Sequence, residues 1–143
     1  MVERLSLYGW PLERGDTRLL MAGEQGQPRV VPVPENWDNV RNRPDHTWTI
    51  SCDLFDSGFY LKNQNLYLTY HEADENIRLK RQAVAHSWFA IEDDETGFTK
   101  LPLDETAGCS SSFLTFSKDG SVSLHPRTND DFLTTDLLLD IWN

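Results

Sequence analysis

The sequence feature that most constrains the fold is a motif that recurs along the chain. His46-Thr47-Trp48-Thr49-Ile50 has a counterpart in His86-Ser87-Trp88-Phe89-Ala90-Ile91, and Leu137–Trp142 forms a looser third copy. A second series recurs at a similar interval, because residues 66–70 are echoed by residues 112–116. Internal periods of about 20 to 50 residues are typical of folds built from repeated units. We therefore divide the 143 residues into three units of about 40 to 50 residues each.

Each unit is predicted to contain four short β-strands, which makes the chain an all-β protein with twelve strands. Aromatic and β-branched residues concentrate in twelve short runs, and turn-forming residues separate these runs. The Asp119-Gly120 pair is the clearest hairpin turn, because both residues tolerate the positive φ that a tight turn requires. The predicted strands are 4–8, 17–22, 29–33 and 47–52 in the first unit, 58–62, 65–71, 77–82 and 87–92 in the second, and 98–103, 112–117, 121–125 and 137–142 in the third.

A unit of this size has one apolar face that it cannot bury alone. Three units packed around a pseudo-threefold axis would close six strands into a barrel and cap it with three hairpins, which removes exposed sheet edges. A bulge near Phe89 is expected, because the second Trp–Ile pair is one residue longer than the first. A lipocalin-like up-and-down barrel with a small apolar ligand is the alternative fold. The predicted shared core consists of Trp48, Trp88 and Leu139, with Ile50, Ile91 and Ile141 beside them.

The overall charge limits the classes of partner. The chain carries a net charge of −10 and has a sequence pI of about 4.7, so it repels phosphate backbones and anionic membranes. We expect neither nucleic acid nor a membrane as partner. The start of the chain shows no apolar targeting segment, and Cys52 and Cys109 form no paired motif. These features predict a cytoplasmic monomer or weak dimer with free thiols, although one long-range disulfide stays open.

The repeat resembles the β-trefoil superfamily. Its Trp-x-Ile motif, followed by Gly58-Phe59-Tyr60-Leu61, is similar to the unit boundary of ricin-B-type lectins and of mushroom protease inhibitors such as clitocypin, macrocypin and related serine protease inhibitors. The acidic pI, the chain length and the two cysteines are also similar to those fungal inhibitors. The resemblance implies a single β-trefoil domain over residues 1–143, without enzymatic activity and without a cofactor, that recognises its partner through surface loops.

The first functional hypothesis is inhibition of a cysteine or serine protease by loops that block its cleft. In the mushroom inhibitors, the loop between the first two strands enters the protease, which implies a contact role here for Arg14, Gly15 and Asp16. The loop between the fifth and sixth strands is offered to legumain-type proteases, and Asn63 and Asn65 occupy that place. Turn chemistry alone also favours asparagine there. Rigid hairpins would lose little entropy on binding.

The alternative hypothesis is a lectin with an aromatic-lined glycan site. Asn36 and Asp38 flank Trp37, so their side chains would hydrogen-bond sugar hydroxyls while the indole stacks on the apolar face of the sugar. A Trp37 folded onto the barrel as a lid is the structural reading of the same residue. A glycan site at a unit boundary and a regulatory binding module of the fascin or cytokine type are further alternatives.

No motif in the sequence singles out a catalytic or metal site, although paired carboxylates for glycoside hydrolysis stay open as an alternative. His46 and His86 occupy matching places and could form a metal or acid–base pair, but no third ligand is evident and hydrogen bonding to turn backbone is the simpler role. The acidic run at 92–95 lacks the spaced ligands of a calcium loop. Ser110-Ser111-Ser112 lacks a nucleophile elbow. We therefore expect no catalytic residue, no metal and no cofactor.

Overall fold

A computed structural model describes residues 3–9, 19–33, 40, 42–50, 58–71, 73–74, 76–81, 88, 91–92, 95, 97–102, 112–126 and 132–142. These residues confirm the predicted all-β class, since they form strands that pair in antiparallel fashion. A short 3-10 turn, Pro44–His46, precedes the strand that begins at Trp48. The described strands are Glu3–Gly9 (β1), Leu19–Glu24 (β2), Gln27–Pro32 (β3), Trp48–Ile50 (β4), Lys62–Asn63 (β5), Leu66–His71 (β6), Asn76–Lys80 (β7), Ile91–Glu92 (β8), Thr99–Lys100 (β9), Phe113–Ser117 (β10), Val122–His125 (β11), Leu133–Thr134 (β12) and Leu137–Trp142 (β13).

Six chain segments pair with one another in a closed circuit. Strand β1 pairs with β13 on one side and with β4 on the other, and β4 pairs with β5. Just before β5, Phe59 exchanges two backbone hydrogen bonds of 2.8 and 2.7 Å with Trp88. Strand β8 then pairs with β9, and β9 pairs with β13. Among the described strands of this circuit, β1, β4, β5, β9 and β13 each pair on both sides, so these strands present no unpaired edge.

Three hairpins complete the described fold. Strands β2 and β3, β6 and β7, and β10 and β11 each form an antiparallel pair. The β2–β3 turn uses Gln25 at φ 51° and Gly26 at φ 78°, and the β10–β11 turn uses Gly120 at φ 97°. The amide of Val30 on β3 donates to the carbonyl oxygen of Gly120 at 2.9 Å, so two hairpins from distant parts of the chain are joined directly.

The core contains both motif tryptophans, as predicted. Trp48 and Trp88 are fully buried, and Ile50 is buried beside the first of them. Ile91 is 54% exposed, so its predicted core place is wrong. Strand geometry accounts for this: residues two apart share a face, whereas a spacing of three, as between Trp88 and Ile91, favours opposite faces. The bulge predicted near Phe89 lies outside the described residues.

The third copy of the motif contributes a different residue from the one predicted. Leu137 is fully buried, Leu139 is only partly buried against the core, and Ile141 is exposed. Leu137 lies directly opposite Gly9 on β1. A Cβ at residue 9 would lie only 2.6 Å from Phe116 Cδ2, so the glycine leaves space for the neighbouring core side chains. The prediction placed the core residue of this unit two positions too late along β13.

The predicted strands correspond in order to described strands, with one addition. Strand β12 was not predicted, and it pairs with Phe116 and Ser117 of β10. The described residues therefore form thirteen strands where twelve were expected. The part of the chain that the structure describes includes no helix long and apolar enough to cross a membrane.

Candidate functional site

An exposed aromatic surface lies on the hairpin of β5 and β6. It consists of Tyr60, Lys62 and Tyr67, and we call it the tyrosine patch. Tyr60 and Lys62 are two residues apart, so they share a face, while the intervening Leu61 is fully buried. Lys62 lies directly opposite Tyr67 in the β5–β6 register, which places their side chains side by side. Local strand alternation and cross-strand pairing together assemble the patch.

Within the tyrosine patch, the Tyr67 ring contacts both other side chains, while the Tyr60 ring is exposed to solvent. The rings of Tyr60 and Tyr67 meet edge to face, with centroids 5.8 Å apart and planes at 84°. The Lys62 Nζ lies 5.7 Å from the centroid of the Tyr67 ring, within the range of a cation–π contact. Tyr60 is 40% exposed. An exposed phenol ring therefore lies beside a second tyrosine and an ammonium group, and this set can combine stacking with hydrogen bonding.

The turn of this hairpin is supported from beneath by Asn63. Its side chain is 1% exposed, and its Nδ2 donates to the carbonyl oxygens of Asp45 at 2.9 Å and Thr47 at 3.2 Å. Gln64 Nε2 donates to Asn63 Oδ1 at 3.3 Å. Asn63 therefore does not lie where a protease would touch it, because its side-chain amide is buried and hydrogen-bonded to the backbone beside the 3-10 turn. Asn65 is exposed at the turn, as a contact residue would have to be.

A second feature is a cleft of about 800 Å³ where the three hairpins converge, which we call the three-hairpin cleft. Its volume lies in the range of small-ligand sites, about 300 to 1,000 Å³. Arg29 on β3 and Arg78 and Lys80 on β7 line it, and Asp119 in the β10–β11 turn is the one carboxylate among the described lining residues. The polar part of the lining also includes Gln25, Gln27, Asn76 and Ser121.

The carboxylate of the cleft is engaged within its own turn. Asp119 Oδ1 accepts hydrogen bonds from the Ser121 amide at 2.9 Å and from the Ser121 hydroxyl at 2.7 Å. These bonds, with smaller contributions from Ser117 and the charge of Arg29, lower the pKa of Asp119. Its negative charge is therefore held in the turn, at one side of the cleft.

The cations of the cleft are placed differently from one another. Arg78 forms an ion pair with Asp74, whose other oxygen contacts His71 Nδ1 at 2.9 Å. Desolvation, followed by the charges of Lys80 and Arg78, lowers the pKa of His71. Among the described residues, neither Arg29 nor Lys80 makes an ion pair. Two of the three positive charges thus remain available to a ligand.

The tyrosine patch and the three-hairpin cleft are joined by one cross-strand row. Tyr67 lies opposite Lys62 on β5 and, on its other side, opposite Lys80 on β7. Directly opposed residues of an antiparallel pair project to the same face with Cβ atoms about 4.5 to 5.5 Å apart. Since Lys80 also lines the cleft, the two features form one continuous surface.

Several residues chosen from the sequence lie outside the described part of the chain. They are Arg14, Gly15 and Asp16 of the first loop, Asn36, Trp37 and Asp38 of the glycan alternative, and His86, Cys52 and Cys109. His46 is described and is 3% exposed, in the 3-10 turn. Its Nδ1 is buried without a hydrogen-bond partner in the described structure, so this atom does not bond turn backbone as expected. Within the described residues, no group of three potential metal ligands occurs.

Sequence reasoning missed both features of this surface. The Tyr60-x-Lys62 alternation next to a predicted hairpin was a usable sign of an exposed face, but its meeting with Tyr67 depends on the exact register of β5 and β6. The cleft draws Arg29, Arg78 and Asp119 from three hairpins far apart in the sequence. The only local sign was the presence of Arg78 and Lys80 at alternate positions of one predicted strand.

The sequence matches no protein-family model and no curated protein. Among solved structures, the chain is similar to the GlcNAcα1-4Gal releasing endo-β-galactosidase from Clostridium perfringens, with a TM-score of 0.66 and 13% sequence identity. The match covers 99% of this chain and 33% of that chain, so this chain spans about a third of the enzyme's length.

This comparison corrects one expectation from the sequence. The chain was expected to have no enzymatic activity, and that prediction is contradicted because the similar structure belongs to an enzyme. The expectation came from the β-trefoil resemblance and from the absence of a recognisable catalytic motif in the sequence. An identity of 13% shows a shared fold, so the comparison itself assigns no activity to this chain.

Proposed function

We propose that this chain is a carbohydrate-recognition domain whose binding surface is the tyrosine patch. The observation that carries the proposal is the exposed ring of Tyr60 beside Tyr67 and Lys62. The apolar C–H face of a pyranose stacks on an aromatic ring, while its hydroxyl groups need polar partners at the ring's edge. The phenol hydroxyls and the Lys62 ammonium supply such partners.

We further propose that the fold is a β-trefoil. Two observations support this assignment: the six-segment circuit with three hairpins, and the repetition of one tryptophan contact in two units. Trp48 Nε1 donates to the Met21 carbonyl oxygen at 2.8 Å, and Trp88 Nε1 donates to that of Leu68 at 3.2 Å. In both units, the donor belongs to the fourth predicted strand and the acceptor to the second. The short strand β12 would then be an addition to the twelve strands of the three units.

The similarity to a galactosidase supports a saccharide as the ligand class. The name of that enzyme specifies N-acetylglucosamine and galactose, so we propose glycans containing these sugars as the first ligands to test. Because this chain spans about a third of the enzyme, the shared part corresponds to a recognition domain within a larger chain under this proposal.

The proposal is tested by glycan-array screening followed by titration calorimetry with the best neutral glycan. Tyr60→Ala removes the stacking ring and should weaken binding by at least about tenfold, the loss typical of a central contact residue. Phe132→Ala is the matched control, because Phe132 is another exposed aromatic ring with a lysine, Lys118, 5.9 Å from its centroid. An array without binding, or equal losses in the two variants, would reject the tyrosine patch.

The same titration tests the glycan site predicted from the sequence. If Asn36, Trp37 and Asp38 bind the sugar, Trp37→Ala should cause the tenfold loss and Tyr60→Ala should not. The two variants therefore discriminate between the two locations. Thermal unfolding of each variant checks that the fold is retained.

Protease inhibition is the second candidate function, and the exposed position of Asn65 favours it. Asn65 sits in a turn that Asn63 anchors to Asp45 and Thr47, so the turn is presented on a fixed support. A loop held in this way loses little entropy when it enters a protease cleft. Stoichiometric incubation with papain, trypsin and a legumain-type protease tests the proposal, and Asn65→Ala should relieve legumain inhibition. Full activity of all three proteases would reject it.

A further inference from the structure

The three-hairpin cleft concentrates positive charge in an acidic chain. Arg29, Arg78 and Lys80 line it, and Asp119 is the one carboxylate among its described lining residues, whereas the whole chain has a net charge of −10. A field of this sign repels anions from most of the surface. A local group of cations in a concave site therefore offers anions one favourable place to bind, and the concave wall strengthens that field.

The cleft has walls that are fixed independently of any ligand. The Val30 amide bonds to the Gly120 carbonyl oxygen and ties β3 to the β10–β11 turn, while the full ladder of β6 and β7 supports the opposite wall. Gly26 and Gly120 lack side chains, so backbone can approach a ligand closely there. A rigid site of this kind loses little conformational entropy on binding.

The cations are suited to an oxyanion rather than to a neutral sugar alone. Arg78 is paired with Asp74, so the charges available to a ligand are those of Arg29 and Lys80. The planar guanidinium of Arg29 matches the paired oxygens of a sulfate or carboxylate, and Lys80 on β7 adds a compact charge. Gln25 and Asn76 provide amide groups for neighbouring hydroxyls.

We propose that the three-hairpin cleft binds the anionic substituent, a sulfate ester or a carboxylate, of an acidic oligosaccharide whose neutral ring stacks on the tyrosine patch. The row of Lys62, Tyr67 and Lys80 connects the two parts, so one ligand can occupy both. This inference rests on the proposed carbohydrate recognition and specifies its ligand class. It assigns stacking to Tyr60 and charge selection to Arg29 and Lys80.

The test is calorimetric titration of the full chain with lactose, 3′-sulfolactose and 3′-sialyllactose, which share a galactoside and differ in charge. The sulfated or the sialylated form should bind at least about tenfold more tightly than lactose. Whichever of the two binds more tightly shows whether the cleft prefers a sulfate ester or a carboxylate. This preference should decrease as the salt concentration rises, because screening weakens exposed charges. Inorganic sulfate at the same concentration should bind far more weakly than the sulfated sugar.

Variants locate the effect. Arg29→Gln and Lys80→Gln should each reduce the preference for the charged sugar by at least about fivefold, while lactose binding stays within about twofold of that of the unaltered chain. Arg4→Gln is the control, because this substitution removes the same charge from an exposed residue of β1 that lies outside the cleft lining. Thermal unfolding of all three variants checks the fold.

Each adverse result has a distinct meaning. Lactose binding without any gain for the charged sugars would overturn this inference and leave carbohydrate recognition standing. Equal losses in Arg4→Gln and Arg29→Gln would attribute the preference to net charge and overturn the assignment to the cleft. Two results would overturn the claim that one ligand occupies both the cleft and the tyrosine patch. They are charged-sugar binding that is unchanged in Tyr60→Ala, and inorganic sulfate binding as tight as that of 3′-sulfolactose. Absence of binding by all three sugars, together with a blank glycan array, would reject the proposed function itself.

Discussion

Trp48 donates from its indole Nε1 to the carbonyl oxygen of Met21 at 2.8 Å, across 27 residues of sequence. Both residues are fully buried, so the bond satisfies two polar groups that water does not reach. Trp88 makes the equivalent contact with the Leu68 carbonyl oxygen at 3.2 Å. The repeated tryptophan therefore has a defined structural role: it fills the core and also ties the fourth strand of its unit to the second.

Trp48→Phe should lower the free energy of unfolding by about 2 to 4 kcal/mol. The ring loses volume, and the Met21 carbonyl loses its donor in a buried place, which alone costs about 1 to 3 kcal/mol. Urea denaturation measures the change. Tyr67→Phe is the control at a partly exposed ring, where the loss should stay under about 1 kcal/mol. A loss below about 0.5 kcal/mol for Trp48→Phe would contradict the structural role of this bond.

Asn63→Asp should destabilise the fold far more than Asn65→Asp. At residue 63, the substitution removes the donors to the Asp45 and Thr47 carbonyl oxygens and replaces them with a carboxylate oxygen facing those acceptors. A buried, unpaired charge costs several kcal/mol, so we expect a loss of about 3 kcal/mol or more. At the exposed residue 65, the expected change is within about 0.5 kcal/mol. Chemical denaturation of both variants makes the comparison, and similar values would show that Asn63 does not anchor the turn.

The all-β class and part of the core were accessible from sequence because they depend on local patterns. The spacing of Trp48 and Ile50 places two apolar residues on one face, and both are buried. Ile91 was predicted to share the core face of Trp88 through a bulge near Phe89, whereas the three-residue spacing alone favours opposite faces. Leu139 was predicted instead of Leu137 because the third copy of the motif was aligned through Ile141, and three consecutive leucines give no period that would correct this alignment.

The candidate surface was not accessible in the same way. The tyrosine patch requires the register that sets Lys62 opposite Tyr67, and a slip of one residue would turn Tyr67 to the other face. The cleft requires Arg29 and Arg78, which lie on different hairpins, to meet. The sequence specifies such contacts only through the packing of the whole chain, whereas the family resemblance pointed to loops.

Gly120→Ala should be more costly than Gly97→Ala. Both glycines have a positive φ, 97° and 76°, which a residue with a Cβ adopts only with strain of about 1 kcal/mol. At Gly120, the new Cβ would also lie 3.3 Å from the Val30 carbonyl oxygen, next to the bond that joins two hairpins. At Gly97, it would meet nothing within 4 Å. We expect losses of about 2 and 1 kcal/mol respectively by thermal unfolding, and the reverse order would contradict the close contact of these hairpins.

Stability should decrease as the pH falls below about 6.5, and His46 should contribute to that decrease. Desolvation by burial is the largest effect on His46 and outweighs the opposing charge of Asp45, so its pKa lies below the ordinary value of 6.5. The native state therefore binds fewer protons than the unfolded state once the pH falls below 6.5, and each further drop favours unfolding until the native pKa is passed. Above that pH both states are neutral at this residue, and its contribution is constant. His46→Gln removes the titrating group, so its free energy of unfolding should change less between pH 7 and pH 5 than that of the unaltered chain, whatever the variant's absolute stability. Urea titrations at several pH values measure both slopes, and equal slopes would show that His46 is not the group responsible.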